Sequence, residues 1–366
     1  MHKKLSGEWI MAYTTIDNPE LYFQTKLYTG TGSSNAITLD GSENMQPDWV
    51  WIKCRDDSHN HQVFDSVRGV HKRMRTDTTG AETESSESLK SFDSNGFTVG
   101  TQANVNASAS GDNSFVSWNW KAGTSFSNDA SATSVGTIDS SGSTNQTAGF
   151  SIVSWTGTGS AGTVAHNLGS VPEWYIIKNR SDANNWAVYH QKSNANPEQY
   201  ALYLDGTSSA TDDSGLANDT APTSTVFSLT NGNYGNQNTY NYIGYFFSEV
   251  KGYSRFGSYE GNGVASGGGP FIYLGFRPAW FLLKELGTDA WTLLDNKRLG
   301  YNKRNDMLFP DNSNVEYASD RIELVSNGVK IIDNDGSINQ SGQTYIYMAF
   351  AESPFVNSKG IPNNAR

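Results

Sequence analysis

Short runs of alternating apolar and polar residues, separated by glycine-rich or polar turns, follow one another along almost the whole chain. That alternation is the mark of half-buried strands, and no long amphipathic helix stands out against it. One stretch carries the pattern most clearly: residues 155–189, WTGTGSAGTVAHNLGSVPEWYIIKNRSDANNWAVY. It reads as turn, strand, Pro-marked turn, buried strand, polar turn, strand. The same order occurs twice more. YTGTGS (28–33) leads to QPDWVWIK (46–53) and QVFDSVR (62–68); YEGNG (259–263) leads to LGFRPAWFLLK (274–284) and WTLLDNKR (291–298). All three share an aromatic-x-Gly-x-Gly turn, a Pro-x-Trp step and a lysine closing an apolar run. The lysines, Lys53, Lys178 and Lys284, lie 125 and 106 residues apart, far beyond the roughly 20–50 residues of a solenoid repeat. Whole domains in tandem are expected.

The flanking pattern repeats too. Each copy opens on a strand (ELYFQTKLY, GFSIVSW, YSRFGSY) and closes on an aromatic one (FVSWNWK, YNYIGYFFSEV, YIYMAFAES). Asn95-Gly96 lies between alternating apolar residues, a hairpin signal because both residues tolerate positive φ. Ser326-Asn327-Gly328 and Thr230-Asn231-Gly232 repeat it. The expected fold is therefore all-β: three tandem antiparallel β-sandwich modules over residues 20–123, 149–252 and 253–355. An N-terminal arm (1–19), an exposed Ser/Thr/Gly-rich linker (124–148) and a loose C-terminal tail (356–366) complete the layout. The join near Lys251-Gly252 has no slack, so modules two and three are expected to pack rigidly end to end. In DWVWIK, Trp49, Trp51 and Lys53 point one way and Val50 and Ile52 the other. Both faces are apolar, which places this strand inside a sandwich or against a neighbour. Trp49, Trp174 and Trp280 hold one register and read as core, joined by Trp51, Trp118, Tyr245 and Trp291.

Composition narrows the picture. A net charge of −11 argues against a nucleic-acid partner, which needs a basic surface. No apolar run is long enough for a membrane-spanning helix. Cys54 is the sole cysteine, so no internal disulfide forms and folding in a reducing cytosol is allowed. The basic N-terminus lacks the apolar core of a secretory signal, and Met11 is an alternative start.

Candidate chemistry is thin. Gly157-Thr-Gly159-Ser-Ala-Gly162 fits a dinucleotide fingerprint, but a β-like stretch ending in Pro172 follows it where a helix is required, and its two copies lose the third glycine. His59-Asn-His61, with His71 nearby, could hold a metal, and in a trimer three such pairs could supply six nitrogens at one axis, although a solvated polar loop explains them as well. Residues 333–337, DNDGS, have a partial calcium-loop look without the distal glutamate. Arg68, Lys72, Arg73 and Arg75 form a basic cluster followed at once by Glu82, Glu84 and Glu87. Trp186, Tyr234 and Tyr240 sit in polar stretches and are the aromatic candidates for stacking on a sugar ring. No G-x-S-x-G elbow exists, and no carboxylate pair lies on an apolar strand, though distant strands can assemble one. No catalytic residue and no cofactor is expected.

The stretches MAYTTIDNPELYFQTKLYTGTGS, PDWVWIKCRDDSHNHQVFDSVRGV, SFDSNGFTVG and SWNWKAG, with residues 149–191 as a second unit, resemble repeated β-rich modules in structural proteins of marine tailed phages, including those of cyanobacteria. The resemblance covers residues 11 to about 355. It implies a lectin-like, jelly-roll or concanavalin-type sandwich and brings no catalytic residues. It implies a non-enzymatic virion protein, assembled in the host cytoplasm and exposed on the particle, as a tail-fibre or receptor-binding component. A capsid decoration, a tail adaptor, a tail-associated polysaccharide depolymerase and a glycan-binding adhesin are the alternatives. The partners implied are other virion proteins, further copies of the chain (a trimer among the possibilities) and a host surface glycan.

Overall fold

The computed structural model of the protein describes residues 13–109, 111, 113–298 and 306–362; Met11 lies outside the described residues. Within them the chain is all-β, with several antiparallel sheets. No described helix exceeds four residues, and none is long and apolar enough to cross a membrane.

Three sheets share one strand order. The first runs Phe23–Thr29, Ser114–Trp120, Trp49–Cys54, Gln62–Asp65; the third runs Ser254–Glu260, Thr344–Pro354, Phe276–Glu285, Thr292–Asp295. The second contains Phe150–Thr156, Asn241–Phe247, Trp174–Asn179 and Ala187–His190 in that order. The registers correspond as well. Trp49 lies opposite Trp120 and Asp65, Trp174 opposite Phe247 and His190, and Trp280 opposite Phe350 and Asp295. Pro278, which has no N–H to give the ladder, sits at a register shift in the third sheet.

Alternation along these central strands sends side chains into two cores. Val50 and Ile52 face outward, against Ile37, Phe97 and Val99 of a smaller sheet. Smaller sheets cover the second sheet through Val164 and Phe227 and the third through Ile272 and Val329. The opposite faces meet in one interior shared by all three sheets. It holds Trp49, Trp51, Trp118, Trp174, Trp186, Tyr245, Trp280 and Trp291, all buried. Each sheet touches both others there: Trp49 stacks on Tyr245 at 4.6 Å, Trp174 meets Trp291 at 5.8 Å, and Trp120 meets Trp280 edge-on at 5.4 Å. Each such pair adds about 0.5–1.5 kcal/mol beyond its area burial. Trp49, Trp174 and Trp280 have no partner for the indole N–H among the described residues, so volume and a flat face select Trp at these sites. The expected end-to-end packing of the second and third modules is thus corrected. The second apolar face of every central strand is satisfied by the other two sheets at once.

Three further expectations change. The 124–148 linker is structured: strands Thr124–Asn128 and Ser140–Asn145 extend the second sheet from its edge strand Phe150–Thr156. Backbone pairing at an edge needs no apolar side chains, so a Ser/Thr-rich segment suffices. A Cβ on Gly142 would lie 1.9 Å from the Ile152 carbonyl oxygen, which fixes glycine there. The arm and tail, as far as they are described, belong to the body. Thr14 and Ile16 are buried, and the Asp17 carboxylate accepts from the Ser358 amide at 2.7 Å. Finally, Thr230-Asn231-Gly232 follows strand Val226–Leu229 without closing a hairpin. Asn95-Gly96 and Asn327-Gly328 do stand at hairpins, and a Cβ at Gly96 or Gly328 would press 2.0 or 2.1 Å from a neighbouring carbonyl oxygen.

Candidate functional site

The aromatic-x-Gly-x-Gly turns are locked by a residue type that the sequence pattern does not flag. Gly32, Gly159 and Gly263 have φ of +64°, +72° and +68°, the region that favours glycine. Their amides donate to the carbonyls of Asn106, Asn236 and Asn339 at 2.9, 3.0 and 3.1 Å. The side chains of those three buried asparagines accept from Thr31, Thr158 and Asn262 amides at 2.9, 2.7 and 2.8 Å. They also donate to the carbonyls of Gly100, Thr230 and Asp333. The glycine turn spends these donors internally, and Gly162 opens a strand, not a helix. The turn is no phosphate cradle.

The shared lysines are fully buried. Lys53 donates to the carbonyls of Cys54 and Asp57, Lys178 to those of Thr79 and Asn184, and Lys284 to those of Glu285 and Gly287. Burial lowers each ammonium to about 8. Burial also raises the nearby carboxyls of Asp77, Asp205 and Asp311, the last to about 6. Perturbed groups of this kind often mark an active site, but here the arrangement occurs three times and each Nζ is bound to main-chain oxygen.

Charged clasps join the sheets around the interior. Arg68 pairs with Asp65 and, at 3.1 Å, with Glu82, whose carboxylate takes both arms of Arg180 at 2.9 and 3.0 Å. Arg298 repeats this with Asp295 (2.7 Å) and Glu316 (3.0 Å), and Glu316 takes Arg55 at 2.8 and 2.9 Å. Burial opposes the Arg298 charge, yet Asp295 and Glu316 outweigh it and hold its pKa above the ordinary value. Burial likewise opposes the Glu316 charge, but Arg55 and Arg298 hold its carboxyl at about 2. A second tie crosses at each aspartate: Tyr245 Oη donates to Asp65 at 2.7 Å and Trp118 Nε1 to Asp295 at 2.9 Å. In the second sheet His190 takes the aspartate position. Its Nε2 donates to the Tyr347 carbonyl at 3.2 Å while Nδ1 accepts from the Lys192 amide at 2.9 Å, and burial lowers it to about 3.

Among the sugar-stacking candidates, Trp186 is corrected. It is buried in the shared interior, with Nε1 donating to the Arg75 carbonyl at 2.7 Å. Tyr234 and Tyr240 are half-buried against the outer core of the second sheet, and the Tyr234 hydroxyl lies 2.9 Å from that of Tyr203. The three do not converge. His59 and His61 do not form a metal site with other residues: among the described residues no group of three His, Cys, Asp or Glu could hold an ion. His61 precedes strand Gln62–Asp65 just as Trp186 and Trp291 precede theirs. It is buried, and its Nδ1 accepts from Trp51 Nε1 at 2.9 Å. The DNDGS turn is a helix cap, in which Asp335 accepts from the Ser337 amide at 3.0 Å and pairs with Arg321 at 2.8 Å. Of the basic cluster, Arg68 is buried and Lys72 pairs with Glu84.

One open groove belongs to strands that, among the described residues, only the second sheet carries. It measures about 730 Å³ and lies over the strands added to the second sheet. Ser127, Ser141 and Ser154 stand directly opposite one another on three adjacent strands. Asp129, Asp139, Thr156, Thr158 and Asn238 surround this row. Asp129 caps helix Ala130–Thr133, and Asp139 accepts from the Ala130 amide at 2.8 Å. No lysine or arginine lines the groove. Repetition could not reveal a site that occurs once, and the Ser/Thr/Gly-rich composition of residues 124–148 reads as a linker.

The family model of a domain of unknown function (DUF7483) matches residues 18–354, and the chain belongs to that family. No protein of curated function and no solved structure matches the chain.

Proposed function

We propose that the chain is a non-enzymatic structural component of a tailed-phage particle, exposed on its surface as a tail-fibre, receptor-binding or decoration subunit. On this reading it is one jelly-roll-like sandwich module laid down three times and closed into a single rigid body. It works as an oligomer among other virion proteins, is assembled in the host cytoplasm, and reaches a host glycan. The sequence resemblance to phage structural modules supports the assignment. The observation that carries it is the shared fate of the reactive groups, three lysines and two clasps among them. The buried lysines, the Asp–Arg–Glu clasps and the interior histidines are bound to partners inside the body, which suits a part selected for rigidity over turnover. Mass spectrometry of purified particles tests it: the chain should be present in several copies per particle, and its absence would overturn the reading.

The groove favours a second reading, a polysaccharide depolymerase, because it holds two carboxylates. Glycoside hydrolysis needs one of the two kept protonated. The Ser131 hydroxyl and the Ala132 and Ser131 amides instead hold Asp129 below the usual carboxylate range. New reducing ends after incubation with host envelope polysaccharide would establish the depolymerase.

A further inference from the structure

We infer that the groove over the added strands of the second sheet binds a neutral oligosaccharide. The inference rests on the surface exposure proposed above and assigns that exposure a ligand class and a place. Its first support is the comparison among sheets. The edge strands Phe23–Thr29 and Ser254–Glu260 end their sheets, whereas Phe150–Thr156 carries two further strands. Those strands add nothing to the shared interior. The face of Phe150–Thr156 that sends Phe150 and Ile152 into that interior continues outward as Ser154, Ser141 and Ser127.

The second support is the chemistry of the lining. Adjacent strands lie about 4.8 Å apart, so the three serines set a row of hydroxyls at a spacing comparable to the width of a sugar ring. Ser127 and Ser141 are exposed. Asp129, Asp139 and Asn238 add acceptors and an amide donor at the row's end, the set that exchanges hydrogen bonds with vicinal hydroxyls. Trp155, next to Ser154, points through to the opposite face, where the outer core and its Nε1 bond to the Gly235 carbonyl at 2.7 Å hold the strand beneath the row rigid. Two carboxylates with no cation beside them repel sulfate, phosphate and uronate. An apolar ligand would strand the hydroxyls and carboxylates without water. One oxygen of each aspartate is already bound to a backbone amide, which leaves too few ligands for a cation cage.

The test uses the full chain and calorimetric titration with neutral gluco-, manno- and galacto-hexaoses, a sulfated gluco-hexaose and a hexauronate. At least one neutral hexaose should bind saturably below about 1 mM, and the two anionic probes at least about tenfold more weakly. Ser141→Trp, which fills the groove, should weaken the neutral ligand at least about tenfold with an unchanged melting temperature. Asn238→Ala at the exposed rim should weaken it about threefold, which serves if Ser141→Trp does not fold. Phe271 and Tyr273 form the competing surface, an exposed aromatic pair on one face of strand Phe271–Tyr273. Phe271→Ala should leave binding unchanged. The inference is overturned if no neutral hexaose binds, if an anionic probe binds best, or if Phe271→Ala abolishes binding while the groove variants keep it. Presence in the particle is read separately by mass spectrometry, so either proposal can fail alone.

Discussion

Around the shared interior, the junctions that carry Asp65 and Asp295 are held by ions, and the one that carries His190 is held without them. At the first two, a buried arginine bridges two carboxylates, and a Tyr or Trp from another sheet donates to the aspartate. At the third, His190 meets a backbone carbonyl and Ser193 stands where the arginines stand. A backbone bond is nevertheless common to all three: Glu82 N to Arg180 O at 3.1 Å, Glu316 N to Arg55 O at 2.8 Å, and Ala210 N to Leu286 O at 2.9 Å. The main chain and the aromatic interior therefore suffice to close the ring. Buried ion pairs add little net stability because desolvation offsets their attraction, but each becomes expensive once half of it is removed. Their service here is orientation, a hypothesis in which the two ionic clasps fix which sheet follows which.

The largest effect should come from Arg298→Met. It leaves Asp295, which has no exposed side-chain surface, without its cation, while Glu316 keeps Arg55, and should cost about 3–5 kcal/mol in denaturant unfolding. Ser193→Ala at the neutral junction should cost under about 1 kcal/mol. Equal losses would break the distinction between the junctions.

Acid should separate them by pH. His190 titrates near 3 when folded, against 6.5 for the free group, so the unfolded chain binds the extra proton first. The stability it contributes is complete above 6.5 and is lost as pH falls from there toward 3. Glu316 titrates at about 2 against 4.5, so its contribution is complete above 4.5 and drains between 4.5 and 2. His190→Gln should remove about 1.4 kcal/mol per pH unit of slope between 6.5 and 4.5. His61 and His166, also lowered by burial, contribute slope of the same sign, and Asp311, raised by burial to about 6, opposes it. Glu316→Gln should alter the profile below 4.5 and, since burial and then Glu316 raise Asp306 to about 6, should change it to a lesser extent between 6 and 4.5. Unfolding free energies measured from pH 7 to 3 distinguish the two, and a His190→Gln slope equal to wild type would sink the assignment.

Tyr245→Phe isolates the cross-sheet tie to Asp65 and should cost about 2 kcal/mol, the range for a hydrogen bond to a charged group. Met348 holds the corresponding register position in the third sheet, opposite Leu282 as Tyr245 is opposite Ile176. Met348→Leu, which removes no donor, should cost under about 1.5 kcal/mol.

How much of this was legible follows from what repeats in sequence and what repeats only in space. Trp49, Trp174 and Trp280 sit in runs of one composition, so their register showed. The glycine turns showed because only glycine fits their φ. The asparagine locks were hidden: Asn106, Asn236 and Asn339 lie in polar text whose neighbours differ, and only their bonds to the glycine turns mark them. Trp186 was misread because the polar ANN before it hides that it heads a buried strand. The clasps were invisible because Glu82 and Glu316 join Arg68 and Arg298 to arginines of a different sheet, 98 and 261 residues away in sequence. Pattern reading reports which face of a strand is apolar; it does not report which of several apolar faces will meet.

The smallest effect is the most informative about the junctions. Ala210 occupies the place of Glu82 and Glu316, and Leu286 that of Arg180 and Arg55, since the same backbone bond joins each pair. Ala210→Glu with Leu286→Arg should build the missing clasp. Leu286 packs against the interior, so each single change is expected to destabilise. The double-mutant cycle removes those separate costs and reads the pair alone. A coupling of about 0.5–1 kcal/mol, shrinking with added salt, is expected for a partly exposed pair. Zero coupling would mean that the three junctions share a main-chain bond without sharing the geometry that lets a glutamate reach its arginine, and their equivalence would end at the backbone.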